Sequence, residues 1–450
     1  VQIDIEKPFD LANDLMFRAE LLKLADDDYV LITNTHHIAS DGWSVGVMVK
    51  EFSAFYQANV TGEAHNLKPL AIQYKDFSYW QRKWLSGERF ETQVNYWKNQ
   101  LAGLPPLLEL PTDRPRPRVQ THDGNKIWFT MPRKLIDGLN KFSRSNGATL
   151  FMTMLSAYQI LMAKYSRMDD IAVGSPIANR TQQELEDLIG FFVNTLTLRA
   201  QIKPESSFVE LVKQVKEVTL GAYSHQDIPF EYIVDAINPE RNLSHSPLFQ
   251  VVFALQNAPS SEMKLPGLTL EPVNGDRVTA KFDLNMSVWE SASGAHGYFE
   301  YNTNLFDRET VERLFSHYER ILQQVVQNPK MKIGDIKLIT EQELNDQIEV
   351  KQSAIGCYQS DALAHQRFEQ QAGSRPEAIA LRCDGEELTY SELNQRANRL
   401  AHWLREQGVK ANSLVGLSVE RGPEIVIGIL GILKAGGAYV PLDPTYPKDR

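Results

Sequence analysis

The chain has 450 residues, with 42% hydrophobic and 23% charged side chains and a formal net charge of -10. That length predicts two or three globular units, and the acidity argues against a broad nucleic-acid surface, which needs a basic face. Two cysteines, Cys357 and Cys383, exclude a disulfide framework and a cysteine-rich zinc module. Together with the acidic opening VQIDIEKPFD and an apolar run, Ile425 to Leu433, too short to cross a bilayer, they predict a cytoplasmic chain with no membrane span.

In chain order, Leu15 to Leu24 and Tyr29 to Thr35 read as strands joined by the acidic turn ADDD. The stretch HHIASDG, His36 to Gly42, follows. Val45, Met48, Val49, Phe52, Phe55 and Tyr56 then recur at helical spacing. QYKDFSYWQRKWLSG and FETQVNYWKNQL continue as aromatic-rich helices, with Trp80 and Trp84 expected in the core. Five prolines between Leu104 and Pro117 exclude a helix or a central strand, so this segment is an extended connector and divides a first lobe, 1–112, from a second, 113–345. The second lobe opens with strand NKIWFTM and helix ATLFMTMLSAYQILMAKYS. Strand DDIAVGSPI, further helices and strands LFQVVFALQ and AHGYFEYNT come next. Residues 346–363 are polar and irregular and read as an interdomain linker. From residue 364 a new pattern begins, with strand AIALRC, turn DGEE, helix SELNQRANRLAHWLREQG, strand SLVGLSV and helix EIVIGILGILKAGG. Strands and helices mix throughout, which predicts a layered α/β (α+β) fold.

HHIASDG is the stretch that carries chemistry. On an extended strand Leu31, Thr33, Thr35 and His37 share one face, and Val30, Ile32, Asn34 and His36 the other. One histidine can therefore face a cavity while its neighbour packs into structure. Metal binding is disfavoured because adjacent strand histidines point apart and no further ligand set is evident. Gly42-Trp43-Ser44-Val45-Gly46 matches G-x-S-x-G, but a nucleophile elbow needs the strand to run directly into the first glycine, and this strand ends near Thr35. The third reading is acid–base catalysis by one histidine, with Asp41 organising the loop and Gly42 letting backbone approach a substrate at a helix start. A satisfied polar strand end is the plain alternative.

The pattern H-H-x-x-x-D-G followed by Trp43 and Ser44 resembles the signature of condensation domains of nonribosomal peptide synthetases, members of the chloramphenicol-acetyltransferase-like acyltransferases. YKDFSYW (Tyr74 to Trp80), IGFFVNTLTLR (Ile189 to Arg199) and HQDIPFE (His225 to Glu231) resemble further motifs of that family. RNLSHSPLFQ (Arg241 to Gln250) resembles another, with Asn242 where the family has aspartate and His245 where it has arginine. LTYSELN and LKAGGAYVPLDPTYP resemble the opening motifs of amino-acid adenylation domains.

The resemblance implies a two-lobed condensation fold whose N-terminal lobe is truncated, followed by the start of an adenylate-forming domain. It implies peptide-bond formation between thioesters on upstream and downstream peptidyl carrier proteins, delivered on phosphopantetheine arms, with no cofactor or metal bound directly. ATP and magnesium are expected only in the complete adenylation domain, because the chain stops before a glycine-rich phosphate loop. His37 is the residue expected at the reacting amine, with His36 structural, Asp41 fixing the loop through an ion pair and Gly42 beside it. Arg241 is a candidate partner for Asp41; Asn194 and Trp43 are expected to support the channel walls. By that resemblance the intact histidine pair points away from heterocyclisation, and Asp41-Gly42-Trp43-Ser44 with the downstream adenylation start points to peptide-bond formation rather than epimerisation; the donor configuration stays open, with L favoured.

Overall fold

The computed structural model describes residues 7–239, 242–256, 265–271, 273, 278–340, 343–345 and 362–445. The chain divides into two compact units, Val1–Thr340 and Glu341–Arg450.

In the first unit, β1 (Phe17–Lys23) and β2 (Tyr29–Thr35) pair antiparallel, Phe17 opposite Thr35 and Lys23 opposite Tyr29. Within these two strands Ile32 alone is buried. The helix α1 (Gly42–Thr61) begins at its N-cap Asp41 and ends at Gly62, whose φ of 73° is the left-handed geometry glycine adopts without penalty. Helix α2 (Tyr74–Trp84) starts with a capping box, the Gln73 amide donating to Asp76 Oδ2 at 2.8 Å. Helix α3 (Glu88–Gln100) buries Trp97 to 1% exposure. Trp80 and Trp84, expected in the core, are only half-buried and stack on each other at 5.3 Å on the rim of a small cluster around Phe77 and Phe192. Their helix presents a mostly polar surface, and Trp97 takes the central place instead.

Residues 101–122 form neither helix nor strand, as the prolines predict. The elements that follow are β3 (Asp123–Pro132), α4 (Arg133–Ser145), α5 (Leu150–Ser166), β4 (Asp170–Ile177), β5 (Asn194–Gln201), α6 (Phe208–Ser224), α7 (Phe230–Ile237), β6 (Val251–Gln256), β7 (Val278–Thr279), β8 (Leu284–Ser291), β9 (Gly294–Asn302) and α8 (Arg308–Gln327). One seven-stranded sheet runs β5-β4-β6-β8-β9-β3-β7. The pairs β4–β6 and β6–β8 are parallel and the others antiparallel. Helix α5 is apolar nearly all round and lies in the core, with Met154, Tyr158 and Leu161 fully buried. Burying each such side chain contributes about 1.5–3 kcal/mol. Helix α4, not anticipated from the sequence, turns Leu135, Ile136, Leu139 and Phe142 inward at helical spacing. The same hydrophobic cluster takes in Trp97, Leu101, Leu108 and Leu110, so the chain on both sides of residue 100 packs onto the sheet.

The second unit contains α9 (Ala364–Ser374), β10 (Ile379–Cys383), β11 (Glu386–Thr389), α10 (Tyr390–Glu406), β12 (Leu414–Leu417), α11 (Pro423–Ala435) and β13 (Ala438–Pro441). Strands β10 and β11 pair antiparallel, β12 and β13 parallel. Lys434 is buried, its Nζ donating to Glu369 Oε1 at 2.7 Å and to the amide oxygens of Asn394 and Asn398. Of the expected linker, residues 346–361 lie outside the described residues.

Candidate active site

Strand β2 stops at Thr35, and a single 3-10 turn, His37–Ala39, replaces it. Thus the strand alternation does not itself reach His37; the turn separates the two rings. His36 caps the turn, its Nδ1 accepting from the Ile38 amide at 3.1 Å, and its ring meets Phe9 edge-on at 5.7 Å. His37 is exposed, meets Phe191 edge-on at 5.1 Å and lines a cavity of about 1220 Å³. His37 Nδ1 lies 2.6 Å from the Ser40 carbonyl oxygen. A carbonyl only accepts, so Nδ1 carries the hydrogen and Nε2 is the atom able to take a proton.

Asp41 closes the turn and is buried. Its Oδ1 accepts from the Ser44 amide at 2.8 Å, from Ser44 Oγ at 2.7 Å and from Arg180 Nη2 at 3.1 Å; its Oδ2 accepts from the Phe192 amide at 3.0 Å. Burial alone would raise this carboxyl. The bonds from the Ser44 hydroxyl and the two amides, with the charge of Arg180, outweigh burial and hold it below the usual carboxylate range. Burial also pulls the Arg180 guanidinium down, from a value so high that it stays charged. Arg180 donates as well to Ser44 Oγ at 2.9 Å and to the carbonyls of Leu185 and Leu188, and it lies over the Phe192 ring at 4.0 Å.

The guanidinium paired with Asp41 is therefore that of Arg180, which sequence reasoning missed. Its one signal is position, in a polar loop between the apolar strand DDIAVGSPI and IGFFVNT. Arg241, the candidate from the motif, lies outside the described residues. Ser44 is fully buried, with its hydroxyl engaged by Asp41, Arg180 and the Gly190 backbone, so the G-x-S-x-G match is not a nucleophile elbow.

Four separate stretches converge here. Tyr74 of YKDFSYW donates its hydroxyl to the Phe191 carbonyl at 2.9 Å, and its ring crowds Gly190, where a Cβ would meet it at 2.3 Å. Asn194 is buried: its Nδ2 donates to the carbonyls of Gln226 and Ile228, each at 2.8 Å, and its Oδ1 accepts from the Phe230 amide at 3.1 Å. That one amide ties IGFFVNT to HQDIPFE. Trp43 Nε1 donates to the Glu186 carbonyl at 2.8 Å. Gly42, exposed on the cavity at the head of α1, has nothing within 4 Å of where a Cβ would stand, so it leaves open room rather than close packing. Asn242 Oδ1 accepts from the Ser244 amide at 2.8 Å, a turn bond that an aspartate oxygen would make equally well.

A second cavity of about 220 Å³ shares Asn179 and Val193 with the first, so these residues stand between the two. Asp227, on the smaller cavity, is raised by burial against the hydrogen bond from Gln93. Among the described residues no three His, Cys, Asp or Glu side chains converge as metal ligands, and no helix is long and apolar enough to cross a membrane.

Residues 1–348, which include this site, match the condensation-domain family model. The chain belongs to the condensation-domain family of nonribosomal peptide synthetases, and residues 368–450 match the AMP-binding enzyme family. It is 44% identical over 449 residues to a linear gramicidin synthase of Brevibacillus parabrevis, spanning 99% of this chain and 9% of that protein. Malpinin synthetase of Mortierella alpina is 44% identical over 442 residues, 98% of this chain and 6% of that one. Among solved structures, a four-domain nonribosomal peptide synthetase bound to AMP and glycine aligns over 100% of this chain and 35% of its own, with a TM-score of 0.74 and 26% identity. The X-domain from teicoplanin biosynthesis aligns over 75% of this chain and 78% of its own, with a TM-score of 0.69 and 28% identity; the X-domain is also known in complex with OxyB, at a TM-score of 0.68, 28% identity and coverage of 75% and 76%.

Proposed function

We propose that the first unit joins a carrier-bound peptidyl or aminoacyl thioester to a carrier-bound aminoacyl group by amide formation. The observation that carries this reading is the His37 ring on the wall of the large cavity, with Nδ1 tied to Ser40 and Nε2 left to accept a proton. At about 1220 Å³ the cavity exceeds the usual range of roughly 300–1,000 Å³ for a site holding one small ligand, which suits two acyl ends meeting. Phosphopantetheine arms of an upstream and a downstream carrier would supply the two thioesters. The acceptor amine attacks the donor carbonyl carbon, a C–N bond forms and the C–S bond breaks. Nε2 of His37 takes the proton from the amine and returns it to the departing thiolate. Gly42, with open space around it at a helix start, gives the donor carbonyl access to backbone N–H groups. Asp41 and Arg180 touch no reacting atom and act as positioning residues, holding the turn that carries His37.

The lobes 1–112 and 113–345, the linker 346–363 and an adenylation segment from 364 are our division of the chain. In that reading the adenylation domain of the same protein loads the downstream carrier. A docking module of the same fold is the second reading, prompted by the neighbour seen with OxyB; it gives no reason for a proton-accepting ring on a large cavity.

The test is amide formation by the full-length protein from two loaded carriers, followed by mass spectrometry. A general base at residue 37 predicts a loss of about a hundred- to ten-thousandfold in His37→Ala. A smaller loss assigns His37 to positioning the amine, and full turnover overturns the reading.

A further inference from the structure

The seven-stranded sheet has two unlike faces. Along β3, Ile127, Phe129 and Met131 are buried, and Phe129 stacks on Phe315 of α8 at 4.2 Å. The alternate residues Lys126, Trp128 and Thr130 turn to the other face, where Trp128 is 69% exposed. Directly opposite Trp128 on β9 stands Tyr298, and opposite His296 on β9 stands Trp289 of β8. These side chains form a continuous aromatic ladder. Trp289 stacks on His296 at 5.7 Å, Trp289 meets Tyr298 at 5.6 Å, and Tyr298 meets Trp128 edge-on at 5.3 Å. Lys126 Nζ lies 4.4 Å from the Tyr298 ring centroid and pairs with Glu300 at 3.3 Å, which gives the far end a polar rim.

The ladder starts inside the candidate active site, because Trp289 lines the same large cavity as His37. We propose that it is the binding track for the peptidyl part of the donor, a multi-residue acyl chain with apolar or aromatic side chains near its thioester. This rests on the amide-forming function proposed above. Two ring-to-ring steps, of 5.6 and 5.3 Å, carry the ladder from Trp289 to Trp128. At roughly 3.3 Å per residue an extended peptide covers that span with about three residues. A longer donor therefore has more of the track to contact beyond Trp289 than a single aminoacyl group has. Strands β8 and β9 are paired on both edges, whereas the outer edge of β3 meets only the two residues of β7 at Asp123 and Gly124; the track uses the side-chain face that these strands share. Aromatic side chains with two rotatable bonds provide a large contact area at little entropic cost and accept many side chains. Polar-rimmed apolar patches mark ligand grooves as well as protein or membrane contacts, and continuity with the cavity favours the ligand groove here.

The test compares a tetrapeptidyl donor with a single-residue donor in the full-length protein, both on the carrier, as a ratio of initial rates. Trp128→Ala and Tyr298→Ala should each lower that ratio by about tenfold, the scale of losing one central aromatic contact, and Trp128→Phe should recover most of it. A non-reactive peptidyl pantetheine amide should shift the tryptophan emission of the wild type, and the shift should be smaller in Trp128→Ala, where Trp289 at the start of the ladder still responds. An unaltered ratio in both alanine variants, or an emission shift undiminished without Trp128, overturns the track while leaving amide formation intact. Absence of amide product from either donor in the wild type overturns the functional reading, and the track with it.

Discussion

The two parts of the first unit that meet at the cavity are held in place by different forces. The β1–β2 hairpin that presents His37 buries a single residue, Ile32, and two-stranded hairpins are marginal alone. The sheet opposite it is fixed by packing, with Ile171, Val173, Leu196 and Val251 fully buried across three of its strands. His37 therefore owes its position to polar cross-links. Asp41, Ser44 and Arg180 tie the turn to the loop before β5, and Trp43 adds a bond to Glu186. Weakening those links should free the hairpin and leave the sheet undisturbed, since local stability follows local packing.

Arg180→Ala is the strongest way to break this contrast. It strands Asp41 as a buried, unpaired carboxylate, at a cost of about 3–5 kcal/mol. Amide exchange over residues 29–45 should accelerate while β4 and β6 stay protected, and condensation should fall with the hairpin. Arg180→Lys should recover only part, because an ammonium cannot reproduce the guanidinium fork that spans Asp41, Ser44 and two carbonyls. Equal loosening of sheet and hairpin would refute the division.

Acid sharpens the same contrast less severely. The Asp41 carboxyl lies below its ordinary value in the folded chain, so it binds its proton less readily folded than unfolded. Its contribution is complete above the unfolded value of about 3.9 and is lost as the pH falls through the lower folded value. Hairpin exchange should therefore rise in that acid window before the sheet opens, and Asp41→Asn should remove the pH step. A step of the same size in that variant would assign the titration to another group.

Trp43→Phe is the mildest probe. It removes one indole hydrogen bond and keeps a ring, so about 0.5–1.5 kcal/mol should be lost, detectable as a small shift in the thermal midpoint with condensation largely kept.

Local signals carry much of this structure. Alternation marks Tyr29–Thr35 as a strand, the proline density marks residues 104–117 as connector, and the Asp-Gly step marks the start of α1. The histidine pair raises the chemical question because residue type and spacing along one strand are properties of a short segment. Helix α4 has an equally local pattern in Leu135, Ile136, Leu139 and Phe142, masked by the charged residues between them. Trp80, Trp84 and Trp97 show the limit of such reading: aromatic content alone does not say which ring the core will take.

What the sequence by itself determined is a part of the elements, among them β2, α1, β3 and α5, the chemistry on offer at His36, His37 and Asp41, and the family resemblance carried by short motifs. Tertiary structure alone decided which arginine neutralises Asp41 and which aromatic rings line up beside the cavity. Asp41 and Arg180 stand 139 residues apart, and Trp128 meets Tyr298 only because β3 and β9 are neighbours in the sheet. Periodicity reports a segment's own geometry; pairing depends on where the rest of the chain brings a partner, and no local pattern contains that distance.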